Sequence, residues 1–134
     1  MIRLLLDTNI CIYIIKNKPE SVRQHFSRYT LGEIAISSIT VAELAHGVAK
    51  SANQTKNREA LEEFLLPLTI IPFDTQDAHA YGQIRANLER RGEVIGNMDM
   101  LIAAQALAKN CKIVTNNTRE FERVEGLVCE NWVA

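Results

Sequence analysis

The chain has 134 residues, 47% hydrophobic and 23% charged, which supplies one sizeable core and argues against disorder, so we expect a single domain over 1–134. A formal net charge of −1 excludes a globally basic nucleic-acid binder, and any RNA or DNA partner must be held by a local patch. Cys11, Cys111 and Cys129 lack metal-site spacing, the opening from Met1-Ile2-Arg3 lacks the small-residue cleavage site of a secretory leader, and no apolar run reaches the ~18 residues of a membrane span, so the expectation is a cytoplasmic protein with small core thiols.

Ile2-Arg3-Leu4-Leu5-Leu6 is a nearly continuous apolar run of strand length that stops at a carboxylate, a hydroxyl and an amide, Asp7-Thr8-Asn9. Ile10, Tyr13 and Ile14 then share a helical face, broken by Asn17-Lys18-Pro19-Glu20. Pro19 and Glu20 suit the first turn of a short helix over 19–29, with Val22 and Phe26 on its apolar side, and Gly32 marks a turn. A second strand over 33–37 leads into a helix reaching about Lys50, at whose start Thr40 and Glu43 have capping-box spacing. A polar stretch over 51–57 precedes a helix over 55–66 that turns Leu61, Phe64 and Leu65 inward and Lys56, Arg58 and Glu62 outward.

Pro67 ends that helix, and 68–72 reads as a third strand. The longest helical pattern, 74–91, is opened by Asp74 or Thr75 and closed by Gly92. Gly96-Asn97-Met98-Asp99 turns into another helix, with Leu101, Ile102 and Ala106 or Leu107 as its core stripe. Lys112-Ile113-Val114-Thr115 is a fourth strand, followed by the polar corner Asn116-Asn117-Thr118, a short helical turn over 119–123 and a last strand over 127–129. Strands alternating with helices predict the α/β class, with a mostly parallel sheet of about five strands flanked by helices.

Asp7 follows the first strand, Glu43 opens the helix after the second, Asp99 opens the helix before the fourth, and Asn117 with Glu120 follows the fourth. Ligands bind at the carboxyl ends of strands in a parallel sheet, so these groups converge on one edge. Each has a structural explanation alone: Asp7 as a helix cap, Glu43 as the capping-box partner of Thr40, Asp99 as an acid favoured by a helix dipole, Glu120 as a solvated charge. Together they need more, because carboxylates ~4 Å apart repel by roughly 4 kcal/mol at an effective dielectric near 20, a large part of a small domain's stability. Converging acids without paired His or Cys suit Mg²⁺ or Mn²⁺, and such a site activates water for attack on a phosphodiester. His25, His46 and His79 share no spacing with a nucleophile and read as surface or packing residues, as Trp132 reads as a packing residue. Lys16, Arg119 and Arg123 neighbour the motifs and are candidate RNA phosphate contacts.

Leu6-Asp7-Thr8-Asn9, Ser37-Ser38-Ile39-Thr40-Val41-Ala42-Glu43-Leu44, Ile95-Gly96-Asn97-Met98-Asp99 and Val114-Thr115-Asn116-Asn117-Thr118-Arg119-Glu120-Phe121 resemble, in order and over essentially the whole chain, the motifs of PIN-domain ribonuclease toxins of the VapC type. The resemblance implies a PIN-like α/β/α sandwich and a Mg²⁺-dependent endoribonuclease, with Mn²⁺ able to substitute. It implies the toxin of a bacterial toxin–antitoxin pair acting on tRNA, the initiator tRNA anticodon stem-loop among its targets. By position, Asp7, Glu43 and Asp99 match the core metal-binding acids, and Thr8, Asn9 and Thr115 match polar residues that support them. Asn117 stands where many PIN domains have Asp; an amide brings no charge, and Glu120 is the candidate fourth carboxylate. A homodimer is also implied, with a VapB-like antitoxin covering the acidic groove and operator DNA reached only through that antitoxin. A haloacid-dehalogenase-like phosphatase would want Asp where Asn9 stands and a downstream lysine, and a response-regulator receiver would want an adjacent acidic pair. A PIN module that binds antitoxin or RNA without cutting is the remaining rival, and retention of all three core acids argues against it.

Overall fold

The computed structural model describes residues 1–133. Its centre is β1 (Leu4–Leu6), three leucines that are at most 1% exposed. Strand periodicity sends Leu5 to one face of the sheet and Leu4 and Leu6 to the other, and the chain has built a separate core against each. That double burial explains why the strand reads as an unbroken apolar run.

Five parallel strands lie in the order β3-β2-β1-β4-β5, where β2 is Ile34–Ser37, β3 Thr69–Ile71, β4 Lys112–Val114 and β5 Cys129–Glu130. On one face lie α1 (Thr8–Lys16), α2 (Glu20–Ser27), α3 (Ser38–Ala49) and α4 (Gln54–Leu65), contributing Ile10, Ile14, Val22, Leu44 and Leu61 to the core around Leu4 and Leu6. On the other lie α5 (Thr75–Arg91), α6 (Asn97–Ala108) and α7 (Thr118–Phe121), which pack Ile84, Leu88, Met100 and Phe121 over Leu5, Ala35 and Ile113. The result is the expected α/β/α sandwich. Connections from β1 run outward through β2 to β3, and the chain then returns to place β4 on β1's other flank, which makes the gap between β1 and β4 the topological switch point of the sheet.

Local chemistry sets most boundaries. Asp74 and Asp77 form a reciprocal capping box at the start of α5, and Gly92, at φ +65°, ends it in the left-handed region that favours glycine. At α3 the expectation was different from the outcome. Ser37, not Thr40, is the N-cap, accepting from the Ile39 amide at 3.0 Å, so Thr40 lies inside the first turn and Glu43 lies beyond it. The predicted Thr40–Glu43 capping box does not form. Asn53 caps α4, which shortens the polar loop expected over 51–57. In α6 the expected stripe is also too narrow: Met100 and 102–106 are all buried, because the run of alanines lets the helix sit between the sheet and α5. Cys11 and Cys111 are buried as expected and Cys129 is half-buried.

Candidate active site

At the switch point, Asp7 ends β1 and caps α1, a buried carboxylate with both oxygens engaged. Oδ1 accepts from the Ile10 amide at 2.9 Å, and Oδ2 accepts from the Thr115 hydroxyl at 2.5 Å, across the β1–β4 gap. Thr115 in turn accepts from the Asn117 amide at 2.9 Å, so its proton is directed at Asp7 and its lone pair at the loop that starts α7. Burial raises the Asp7 carboxyl above its ordinary range, the Thr115 and Ile10 hydrogen bonds pull it back, and the Glu43 charge raises it again. Beneath it the Cys11 thiol is held well above its usual range by burial and by Asp7, and stays neutral.

Glu43 reaches the same edge from α3. Released from any capping role, it accepts from the Thr8 hydroxyl at 2.6 Å, and Thr40 Oγ1 lies 3.4 Å from that hydroxyl. Thr8 therefore orients Glu43 as Thr115 orients Asp7, with Thr40 lying against the Thr8 hydroxyl. Asn9, also expected to support the acids, has an exposed side chain and contributes through its backbone amide, which bonds Asp7.

Asp99 occupies the first turn of α6, after the N-cap Gly96. The Asp99 carboxylate folds back over Gly96, where a Cβ would stand 3.4 Å from Oδ2, in ordinary van der Waals contact. The Asp99 carboxyl is raised to about 6, first by burial and then by the charges of Asp7, Glu120 and Glu43. Those couplings show that acids from α1, α3, α6 and α7 share one electrostatic neighbourhood. Glu120 accepts from the Asn117 side-chain amide at 3.0 Å, so Asn117 positions this carboxylate and adds no charge of its own.

The donor set fits a hard divalent cation. All donors are oxygens, and the charges of Asp7, Glu120 and Glu43 each raise the Asp99 carboxyl, a repulsion that a divalent cation would relieve. Among the described residues, no three carboxylates, imidazoles or thiols are drawn together as a ready-made metal cage. Mg²⁺ does not need one, because it keeps several waters and is commonly held by one or two carboxylates.

Of the expected RNA contacts, Lys16 and Arg119 are exposed, whereas Arg123 is engaged: its guanidinium lies 3.5 Å from the Glu93 carbonyl and 3.4 Å from that of Val94. A groove of about 320 Å³ runs from Glu43 and Lys16 between α1, α3 and α4, over Ile12, Ile15, Leu44 and Leu61. Thr40, Tyr13 and Asn116, expected as a helix cap, a helix-face residue and part of a polar corner, also belong to the site. The Tyr13 hydroxyl accepts from the Asn116 amide at 3.1 Å, tying α1 to the loop between Thr115 and Asn117. Only the i, i+3 pairing of Thr40 with Glu43 hinted at a shared direction, and there it pointed to a cap.

A family model described as PIN domain matches residues 4–127. The chain is 46% identical to the tRNA(fMet)-specific endonuclease VapC of Shigella flexneri over 132 residues, covering 98% of this chain and 99% of that protein. It is 45% identical to Ribonuclease VapC2 of Rickettsia felis, covering 96% of each. Among solved structures it is similar to VapBC2 from Rickettsia felis bound to a DNA fragment from their promoter, with TM-score 0.92, 44% identity and coverage of 98% of this chain and 99% of that one. It is also similar to FitAcB from Neisseria gonorrhoeae, with TM-score 0.85, 31% identity and coverage of 96% and 97%.

Proposed function

Since the chain belongs to the PIN-domain family, as a member of the VapC type, we propose that it is a Mg²⁺-dependent endoribonuclease toxin that hydrolyses phosphodiester bonds in tRNA, the initiator tRNA foremost. One observation supports this reading above the rest: Asp7, Glu43 and Asp99, far apart in sequence, act on one another's charge at the β1–β4 switch point.

In this reading Asp7 and Asp99 hold the ion, and Glu43 ligates or orients the attacking water. When bound, Mg²⁺ would lower the pKa of that water and offset charge on the phosphate and leaving oxygen. Thr115 fixes the Asp7 carboxylate by donating to Oδ2, and Thr8 fixes Glu43 by donating to Oε1. In the same reading the first turn of α6, which has no side-chain cap, offers N–H donors to a phosphate oxygen. Glu120, held by Asn117, completes the acidic wall. Lys16 and Arg119 are the cations available for the RNA backbone. The products carry a 5′-phosphate and a 3′-hydroxyl.

A VapB-like antitoxin is the expected partner, given that relatives at 44% and 33% identity were solved as VapBC complexes. The groove that starts at Glu43 gives such a segment an apolar track and, at its end, acids that attract a basic side chain. Operator DNA would be met through the antitoxin, and the toxin would act as a homodimer in the cytoplasm. No helix among the described residues is long and apolar enough to cross a membrane.

The test compares wild type with Asp7→Asn on a purified tRNA pool, with Mg²⁺ and with chelator. Cleavage should require Mg²⁺ and fall by at least about 100-fold in the variant, the worth of a few kcal/mol of transition-state charge stabilisation. Equal cutting in every arm would remove the assignment.

A further inference from the structure

We infer that Arg91 and Arg123 form a clasp that sets the spacing between Asp99 and Glu120, making Arg123 a positioning residue for the acidic site. This deepens the nuclease reading and rests on it for its consequence in catalysis.

The two acids it serves lie on weak supports. Asp99 follows residues 93–96, which have no regular structure, and Glu120 sits on α7, whose single turn is far below the length at which a helix stands alone. Ile95, Phe121 and Val124 pack in the same core beneath both segments and fix their depth. Apolar contact has no direction, so it leaves lateral register open.

Directional bonds close that freedom from both sides. Arg123, just after α7, reaches across to the Glu93 and Val94 carbonyls at 3.5 Å and 3.4 Å. Arg91, in the last turn of α5, donates to the Arg123 carbonyl at 2.9 Å and to Asn87 Oδ1 at 2.8 Å, and its second nitrogen lies 3.4 Å from Glu93 Oε1. Each arginine therefore grips the other's segment, and the rigid α5 is the common anchor. Both Arg123 contacts are made by Nη1, which stands one bond farther from the backbone than a lysine Nζ, so an ammonium at this position falls short of the two carbonyls.

The test uses the full chain with Arg123→Ala, Arg123→Lys and Arg91→Ala. Amide exchange by mass spectrometry should rise together over 92–98 and 118–123 in Arg123→Ala while β1 and β4 stay protected. Mn²⁺ affinity by calorimetry should fall by about 10–100-fold, the usual effect of losing a group that orients ligands. Arg123→Lys should not rescue either property, and kcat should fall with KM for tRNA unchanged. Rescue by Lys with a raised tRNA KM and unaltered Mn²⁺ affinity would mean a phosphate contact and overturn the clasp. Unchanged exchange would overturn it too, as would faster exchange with unaltered Mn²⁺ affinity. A wild type that cut no RNA would defeat the nuclease reading, while the exchange and Mn²⁺ arms would still decide the clasp.

Discussion

A carboxyl whose pKa is about 6 in place of the ordinary 3.8 binds more protons in the folded chain than in the unfolded one between those values. For the metal-free protein, stability associated with Asp99 is therefore fully present below about 3.8 and is lost as pH climbs through about 6. Asp7, also raised, acts in the same direction. In chelator, the melting temperature should fall between about pH 5 and pH 7 more steeply for wild type than for Asp99→Asn. Mg²⁺ should raise it more at the upper pH, where the acids are ionised. A stabilisation by Mg²⁺ that is equal at both values would show that the raised carboxyls do not bind the ion. At this scale the acids themselves were legible, because a polar triplet interrupting an apolar run is a strong signal. Their orientation was not. Ser37, Ser38 and Thr40 can all cap a helix, and choosing Thr40 gave Glu43 an intrahelical partner; capping by Ser37 frees it to meet Thr8 instead. The engagement of Arg123 had no sequence signal at all, since it depends on where a loop thirty residues away passes.

Among the elements, α6 carries a polar residue where its buried surroundings would favour an apolar one. Gln105 is fully buried, and the two hydrogens of its side-chain nitrogen are shared among the Ile71 and Pro72 carbonyls and Asp77 Oδ2, each 3.1 Å away. Lys109 closes the same joint, 2.6 Å from Asp74 and 3.3 Å from Asp77. This side-chain network fastens α6 to the end of β3 and the start of α5, and so holds the first turn that bears Asp99. Gln105→Leu keeps the volume similar and strands those acceptors, and it should cost about 2–3 kcal/mol. Urea unfolding should show a lower midpoint at unchanged m. Element type was legible from periodicity throughout the chain. Boundaries shifted where more than one residue could cap, and the stripe on α6 was underestimated because alanine carries little periodic contrast.

At the scale of the whole molecule, the C-terminal segment locks α2 onto the sheet. Trp132, fully buried, stacks on His25 with centroids 5.8 Å apart and on Tyr29 at 5.7 Å, and its indole N–H donates to Glu130 Oε1 at 3.0 Å. The Tyr29 hydroxyl donates to the same oxygen at 3.0 Å. Trp132→Ala should destabilise by about 3–5 kcal/mol, read from chemical unfolding followed by far-ultraviolet circular dichroism. Faster proteolysis within α2 should accompany the loss. The packing reading of Trp132 was legible, whereas its ring partners His25 and Tyr29, more than a hundred residues away, were not.

The bond from Thr115 to Asp7 spans 108 residues, and β1 cannot pair with β4 until β4 exists. A ribosome making this protein thus carries a growing polypeptide that already displays the acid of β1 yet has no closed crevice around it. The crevice around Asp7 therefore closes only when β4, near the end of the polypeptide, joins the sheet.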